Sequence, residues 1–344
     1  MGRWNRTLLK RFLTITSKAL FYIAMFATIS GLLTYVLVFH GPFKNLKEIY
    51  VASAMTTLNH QYLAKWLLSD NEIDDIMENN KVPETTEYTD ESEIQINQST
   101  SSKLPESELI EIKGSGFKGY LLKIADPQRV SLAGANKLGK VGMRVEDFAN
   151  QYNAEAAINA GGFADLDGHG NGGTPLGIVI SGGQIMYRDN SAKYSIIGFD
   201  SKDVLVLGEY TLEQIRSMQL RDAVSFGPFL VINGKGIIKK GNGGWGLAPR
   251  TAIGQTADGT VLFLVIDGRQ LTSVGASLKD VQEIMLQYGA INAANLDGGS
   301  SSALFYDGTI INNPSGKKGA RQVPNAFIIR QQLPKARVGL REAR

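Results

Sequence analysis

The stretch SLKDVQEIMLQYGAINAANLDGGS, residues 277–300, carries the pattern from which the rest of the chain is read. Ser277 with Asp280 three residues on is a helix-capping box, and Val281, Ile284, Met285 and Tyr288 fall at helical steps on one apolar face. Gly289 is placed to end that helix, after which Ala293-Ala294-Asn295-Leu296 reads as a short buried strand stopping at Asp297-Gly298-Gly299. A weak copy lies 136 residues earlier: Val145, Gln151, Tyr152, Ala154, Ala157, Asn159 and Gly162 align with Val281, Gln287, Tyr288, Ala290, Ala293, Asn295 and Gly298. Hairpin patterns surround both copies, as in GIVISGGQIM (177–186) and ALFYDGTII (303–311). The expected fold is therefore α+β, with mixed, mostly antiparallel sheets, packed helices and a pseudo-two-fold internal duplication. Its site is expected where the two Gly-Gly turns meet.

Outward from this domain, placed at 109–333, the chain changes character. The 344 residues include 38 glycines, but only Gly2, Gly31 and Gly41 precede residue 109, so the turn-rich part is confined to the later two thirds. Residues 1–18 carry Arg3, Arg6, Lys10, Arg11 and Lys18 without an acid, and residues 19–39 are free of charge. A helix of that length rises about 31 Å, enough to span a bilayer core of about 30 Å. It is too long for the apolar part of a cleaved signal peptide, so an uncleaved anchor is expected, with the N-terminus inside and the remainder extracytoplasmic. Residues 40–80 read as a stalk helix with an apolar stripe (Leu58, Tyr62, Leu63, Trp66, Leu67), a candidate surface for self-association or for packing on the molecule's own domain. Residues 81–108 read as an acidic, disordered linker, and 334–344 as a basic tail.

The formal charge of +3 is an effect of the anchor, since the rest of the chain is at −2 without those five cations. A nucleic-acid partner is not expected. Cysteine is absent and the histidines are His40, His60 and His169, which excludes disulfides, thiolate metal sites and a multi-His zinc site in the domain. A disulfide-free extracytoplasmic protein fits a Gram-positive bacterial surface. Asp165-Leu-Asp167-Gly-His169-Gly170-Asn171 starts like a calcium loop but lacks its bidentate glutamate, so no metal and no cofactor are expected.

Chemistry is sought at the rims of the apolar strands. VLFLVI (261–266) stops at Asp267-Gly268-Arg269, and the strand of the opening stretch stops at Asp297-Gly298-Gly299-Ser300-Ser301. One Asp-Gly is ordinarily a turn, but two, one beside an arginine and one beside serines, make a candidate centre. Gly-Gly backbone lets a ligand approach closely and can offer amides to an anion. Arg250 and Arg269 are candidates for bidentate phosphate contacts. In the first copy Asn159, Gly161, Gly162 and Phe163 occupy the corresponding turn; Asn159 and Asn295 either cap their own turns or bond a substrate.

The ordered set Asn159-Ala-Gly-Gly-Phe163, Thr174-Pro-Leu-Gly177, Phe226-Gly-Pro228, Asn233-Gly234, Ala248-Pro-Arg-Thr-Ala-Ile-Gly254, Ile266-Asp-Gly-Arg269, Asn295-Leu-Asp-Gly-Gly-Ser300 and Asn312-Asn-Pro-Ser315 resembles the phosphodiester glycosidase family. That resemblance spans about 111–329 and implies cleavage of a sugar-1-phosphodiester at the anomeric carbon. Bacterial members often look like membrane-anchored proteins of exopolysaccharide biosynthesis. The expected function is a surface-anchored hydrolase acting on a glycosyl phosphate in a cell-wall, capsular or exopolysaccharide polymer. The alternative is a non-catalytic module that binds such a polymer. In the enzyme, Asp297 is expected as nucleophile or base and Asp267 as second or orienting carboxylate. Arg250 and Arg269 with Gly298, Gly299, Ser300 and Ser301 are expected on the phosphate, Asn159 on the sugar and Phe163 over it.

Overall fold

The computed structural model describes residues 3–57, 60–96, 107–165, 170–316 and 319–331. Leu58, Asp167, His169 and the 334–344 tail lie outside the described residues. Helix α1 (Arg3–Tyr35) runs into a π-helical turn over Val36–His40, and its apolar stretch is almost wholly exposed as far as Leu37. It is the one helix among the described residues long and apolar enough to cross a membrane.

The stalk expectation fails at residues 40–80. In place of one long helix there are three short ones, α2 (Lys44–Met55), α3 (Tyr62–Lys65) and α4 (Asp70–Asn80). Ser69 starts α4 with a full capping box. The apolar stripe closes on itself, with Leu63 and Leu67 packed on a small core of Val51, Ala54, Ala64, Leu68 and Ile73, while Tyr62 and Trp66 stay exposed. The start of the linker is also not free. Thr89 donates its amide to the Leu207 carbonyl, Asp90 to Asn233 Oδ1 and Gln95 to the Ala257 carbonyl, so this segment straps across the domain.

The domain runs β1 (Ser107–Gly114), β2 (Phe117–Ile124), β3 (Val130–Gly134), α5 (Val145–Gln151), β4 (Ala154–Asn159), β5 (Ile178–Ser181), β6 (Gln184–Arg188), β7 (Tyr194–Asp200), β8 (Leu205–Tyr210), α6 (Leu212–Ser217) and β9 (Leu220–Ser225). It continues with β10 (Phe229–Ile232), β11 (Lys235–Gly236), β12 (Arg250–Thr256), β13 (Val261–Ile266), α7 (Leu278–Gln287), β14 (Ala290–Asn295), β15 (Leu304–Tyr306), β16 (Thr309–Ile310) and β17 (Asn325–Arg330). All strand pairing within the sheets is antiparallel.

The three sheets share one plan. Their orders contain β13-β12-β14-β10-β11, β3-β17-β4-β15-β16 and β8-β7-β9-β5-β6, with β1-β2 added at the edge of the first. In each, the strand that follows a helix lies in the middle (β14, β4, β9), and all three show the same burial along their six residues. A left-handed residue, Asn153, Gln219 or Gly289, links each helix to its strand. Each sheet ends in a hairpin whose two turn residues both have positive φ: Gly182-Gly183, Asn233-Gly234 and Asp307-Gly308. The two expected copies thus have a third companion, α6–β9. The inner faces meet in one core containing Leu122, Ile158, Phe199, Val224, Phe263 and Phe327. Each such side chain contributes roughly 1.5–3 kcal/mol by leaving water, and together they fix where the ends of β4, β9 and β14 converge.

Candidate active site

The ends of the three middle strands are joined to one another. Asp297 donates its amide to the Ala160 carbonyl (3.0 Å), and Asn159 Nδ2 donates to the Asp297 carbonyl (2.5 Å). Asn295 donates its amide to the Pro228 carbonyl and Nδ2 to that of Gly227 (both 3.0 Å). Gly162 has no room for a side chain, since a Cβ there falls 2.4 Å from the Phe226 ring. Glycine at 161 also lets Asn325 in, whose Oδ1 accepts the Gly161 amide at 2.7 Å. The two expected turns therefore meet, with the end of β9 as a third wall.

Asp297 sits on this junction. The residue retains some exposure, yet Oδ2 is sealed from solvent and has no hydrogen-bond partner among the described residues. Burial pushes its pKa up to about 6, opposed by the Ser301 hydroxyl, the charge of Arg321 and the Gly298 amide, and assisted by the charge of Asp165. Asn295 Oδ1, Asn325 Nδ2 and Ser302 Oγ are likewise buried and without partners. An unmet buried polar atom costs about 1–3 kcal/mol, and one on the carboxylate at this junction marks a place built to meet something polar.

Arg269 comes to the same turn. Its backbone is left-handed (φ 59°), and its guanidinium lies against Gly299, with Nη2 3.3 Å from where a Cβ would stand. Gly299 is itself at φ 62°, so glycine serves both the turn and the close approach. Its amide is not offered to a ligand, because it donates to the Pro249 carbonyl at 2.9 Å. The amides of Ser301 and Ser302 close back on the carbonyls of Gly298 and Gly299, and the Ser300 carbonyl takes the Arg321 amide. The expected amide cradle over residues 298–301 is thus largely spent inside the turn; Ser301 instead faces Asp297.

Other expected contacts are corrected by the geometry. Asn159 is fully buried and satisfied, its Oδ1 accepting from Thr251 Oγ1 (2.8 Å) and the Ala303 amide (3.1 Å), so it ties the copies together and cannot touch a sugar. Phe163 is buried in the core beside β4 and beneath Arg321, whose guanidinium lies 4.8 Å over the ring where a sugar was expected. Asp267 is 2% exposed, and its Oδ1 accepts from Asn312 Nδ2 (3.1 Å) and the Asn313 amide (2.9 Å), orienting the 312–313 turn. Burial raises its pKa against those bonds and the charge of Lys118.

Arg250 is 3% exposed and spends Nε on the Ala276 carbonyl and Nη2 on those of Trp245 and Gly246. Burial, with the charge of Arg269, pushes its pKa down to about 9. It braces the 245–250 loop and adds positive potential from behind rather than gripping a phosphate. Among the described residues neither Arg250 nor Arg269 makes an ion pair with a carboxylate. Two such cations near one turn, one of them buried, favour an anionic ligand.

Arg321 went unread in the sequence. It pairs with Asp165 Oδ2 (2.6 Å), donates to the Gly170 carbonyl (2.9 Å) and acts on Asp297 through its charge. Its one signal was a single arginine in the small-residue loop before β17, too common a feature to choose. Asn325 was hidden in front of the apolar run Ala326 to Ile329. Gly268 and Gly298 have a packing reason as well, since a Cβ on either meets the Pro249 backbone at 2.5 or 3.0 Å. The repeated Asp-Gly pairs hold Pro249 between them.

Comparison with known proteins agrees with this architecture. The family model for phosphodiester glycosidase matches residues 152–330. The SPbeta prophage-derived uncharacterized protein YomE of Bacillus subtilis (strain 168) is 33% identical over 181 residues, 50% of this chain and 27% of that protein. N-acetylglucosamine-1-phosphodiester alpha-N-acetylglucosaminidase of Mus musculus is 26% identical over 228 residues, 59% of this chain and 42% of that protein. The match spans less than half the length of these relatives. The catalytic domain of the zebrafish enzyme of that name, in a structure auto-inhibited by its pro-peptide, superposes with a TM-score of 0.59 at 21% identity over 72% of this chain and 88% of that one, which shows a shared fold. Since the family match takes in just over half of the chain, including both turns that meet at Asp297, the chain belongs to the phosphodiester glycosidase family.

Proposed function

We propose that this protein hydrolyses a glycosyl-1-phosphodiester of the cell envelope, from the outer face of a membrane in which α1 anchors it. The observation that carries the reading is Asp297: a carboxylate with one sealed, unpartnered oxygen, two residues from a glycine against which Arg269 lays its guanidinium. Water adds to the anomeric carbon, the bond from that carbon to the phosphate oxygen breaks with its electrons leaving on phosphate, and a reducing sugar and a phosphomonoester result. A phosphomonoester has a second pKa near 6, so it departs without a strong acid. What the site needs is positive charge at the phosphate and a base or nucleophile at the sugar, and Arg269 and Asp297 supply these. Asp267 and Arg250 are positioning residues, and Arg321 sets the field at Asp297. The five cations that precede the charge-free stretch 19–39 within α1 support an inside N-terminus.

The test is turnover of N-acetylglucosamine 1-phosphodiesters, the class named for the mouse relative. Asp297→Asn keeps the fold by circular dichroism and loses about 3 kcal/mol or more of transition-state stabilisation, roughly a hundredfold in kcat. A folded Asn variant that turns over like the wild type contradicts the assignment, and saturable binding without release of sugar favours the binding module.

A further inference from the structure

The 245–250 loop, which braces Arg250, is fastened to the outer end of the apolar helix. Phe39, in the last turn of that helix, packs edge-on against Tyr50 of α2 (ring centroids 5.3 Å) and on the small core of the three-helix unit. From the same α2, Ser53 Oγ accepts the Leu247 amide (2.9 Å), and just beyond it Thr56 Oγ1 donates to the Trp245 carbonyl (3.2 Å). Gly246 lies so close that a Cβ would come within 2.4 Å of Ser53 backbone. The carbonyls of Trp245 and Gly246 are the ones that brace Arg250. The whole of α2 is 12 residues, about 18 Å, so the 245–250 loop is held within about that distance of the helix end, not at the reach of a stalk.

The lip beside the phosphate-binding arginine is apolar. Arg269 and Val274 close a hairpin through the Arg269 amide and the Val274 carbonyl (2.9 Å), and Leu271 at its tip is fully exposed while Val274 is half exposed. A guanidinium with exposed aliphatic side chains two and five residues on suits a ligand that is a phosphate on one side and hydrocarbon on the other. We infer that the substrate is a lipid-linked glycosyl phosphate, whose second ester group is seated in the same membrane that holds α1. This rests on the hydrolase reading and narrows its substrate from a distal polymer to a membrane lipid. Hydrolysis releases a reducing sugar and leaves the lipid monophosphate in the bilayer.

The full chain is reconstituted in phospholipid vesicles and given two esters of N-acetylglucosamine 1-phosphate, a soluble methyl ester and a long-chain alkyl ester embedded in the vesicle. A second form carries an eleven-residue polar helical insertion after Leu37, which keeps Phe39 with the helical unit and raises the domain by about 16 Å. Confinement to one surface predicts roughly tenfold or greater preference for the long-chain ester in the native chain, lost on insertion, with methyl ester turnover unchanged. Equal rates on both esters, or a preference that survives the insertion, overturn the lipid assignment while leaving the hydrolase standing. Failure to hydrolyse either ester overturns the hydrolase reading and this inference with it.

Discussion

Asp297 is expensive for the fold, and that expense is measurable. Its folded pKa of about 6 lies above the ordinary carboxylate value of 3.8. The neutral form is therefore the one the folded state favours: the contribution to stability is complete below pH 4 and is lost as pH rises through 6. Asp297→Asn should thus be more stable than the wild type at pH 8, by up to about 3 kcal/mol for a shift of two units, with the two converging near pH 4 in urea titrations. Activity should run the opposite way. If ionised Asp297 is nucleophile or base, kcat rises through about pH 6 and flattens above it; a fall above pH 6 would make Asp297 an acid. Gly299→Ala places a Cβ 3.3 Å from Arg269 Nη2 at a left-handed position, and should cost about 1–2 kcal/mol of stability. It should also raise KM for the phosphodiester more than it lowers kcat. Asp297, Arg269 and Gly299 were legible as strand-end residues because a buried strand stopping at a carboxylate is conspicuous. The hydrogen bonds that satisfy Asn159 and Asp267 were not, because they join residues far apart in the chain, and those of Arg250 go to carbonyls whose direction a loop sequence does not encode.

At the scale of elements, a helix, a left-handed link and a six-residue strand recur three times, and only one copy carries the acid. Aligned on Asn159, Ser225 and Asn295, the position of Asp297 is held by Gly161 and Gly227 in the other two. Two copies were visible because they share small residues at matching positions. The third, Leu212–Ser217 with Leu220–Ser225, shares the capping box and burial pattern but few identities, and its helix is one and a half turns long. Physical periodicity survives where residue identity does not, since many apolar side chains fill one core position. The joint between copies is open to test at Asn159, whose side chain meets Asp297, Thr251 and Ala303. Asn159→Ala should lower stability by about 2–4 kcal/mol, leaving buried partners unmet, and should reduce kcat by displacing Asp297.

For the molecule as a whole, the region read as stalk and the start of the linker, up to residue 96, are built onto the domain. Amphipathic spacing in residues 44–80 was legible, but whether an apolar stripe faces a partner, a second copy or its own chain is decided by turns that the spacing does not encode. Asn80 is the joint: buried, it accepts the Asn242 amide (3.0 Å) and donates to the Ile76 carbonyl (3.0 Å), and Gly241 has no room for a Cβ beside it. Asn80→Ala should loosen the helical unit from the 241–247 loop, at about 1–3 kcal/mol, seen as faster amide exchange at Trp245 to Leu247. The central claim is that this fold cuts at the sugar carbon and not at phosphorus. It is tested most directly by hydrolysing a glycosyl-1-phosphodiester with the full chain in water enriched in ¹⁸O and weighing both products. The account predicts the label at the anomeric hydroxyl of the released sugar with none in the phosphomonoester; label in the phosphate would contradict it.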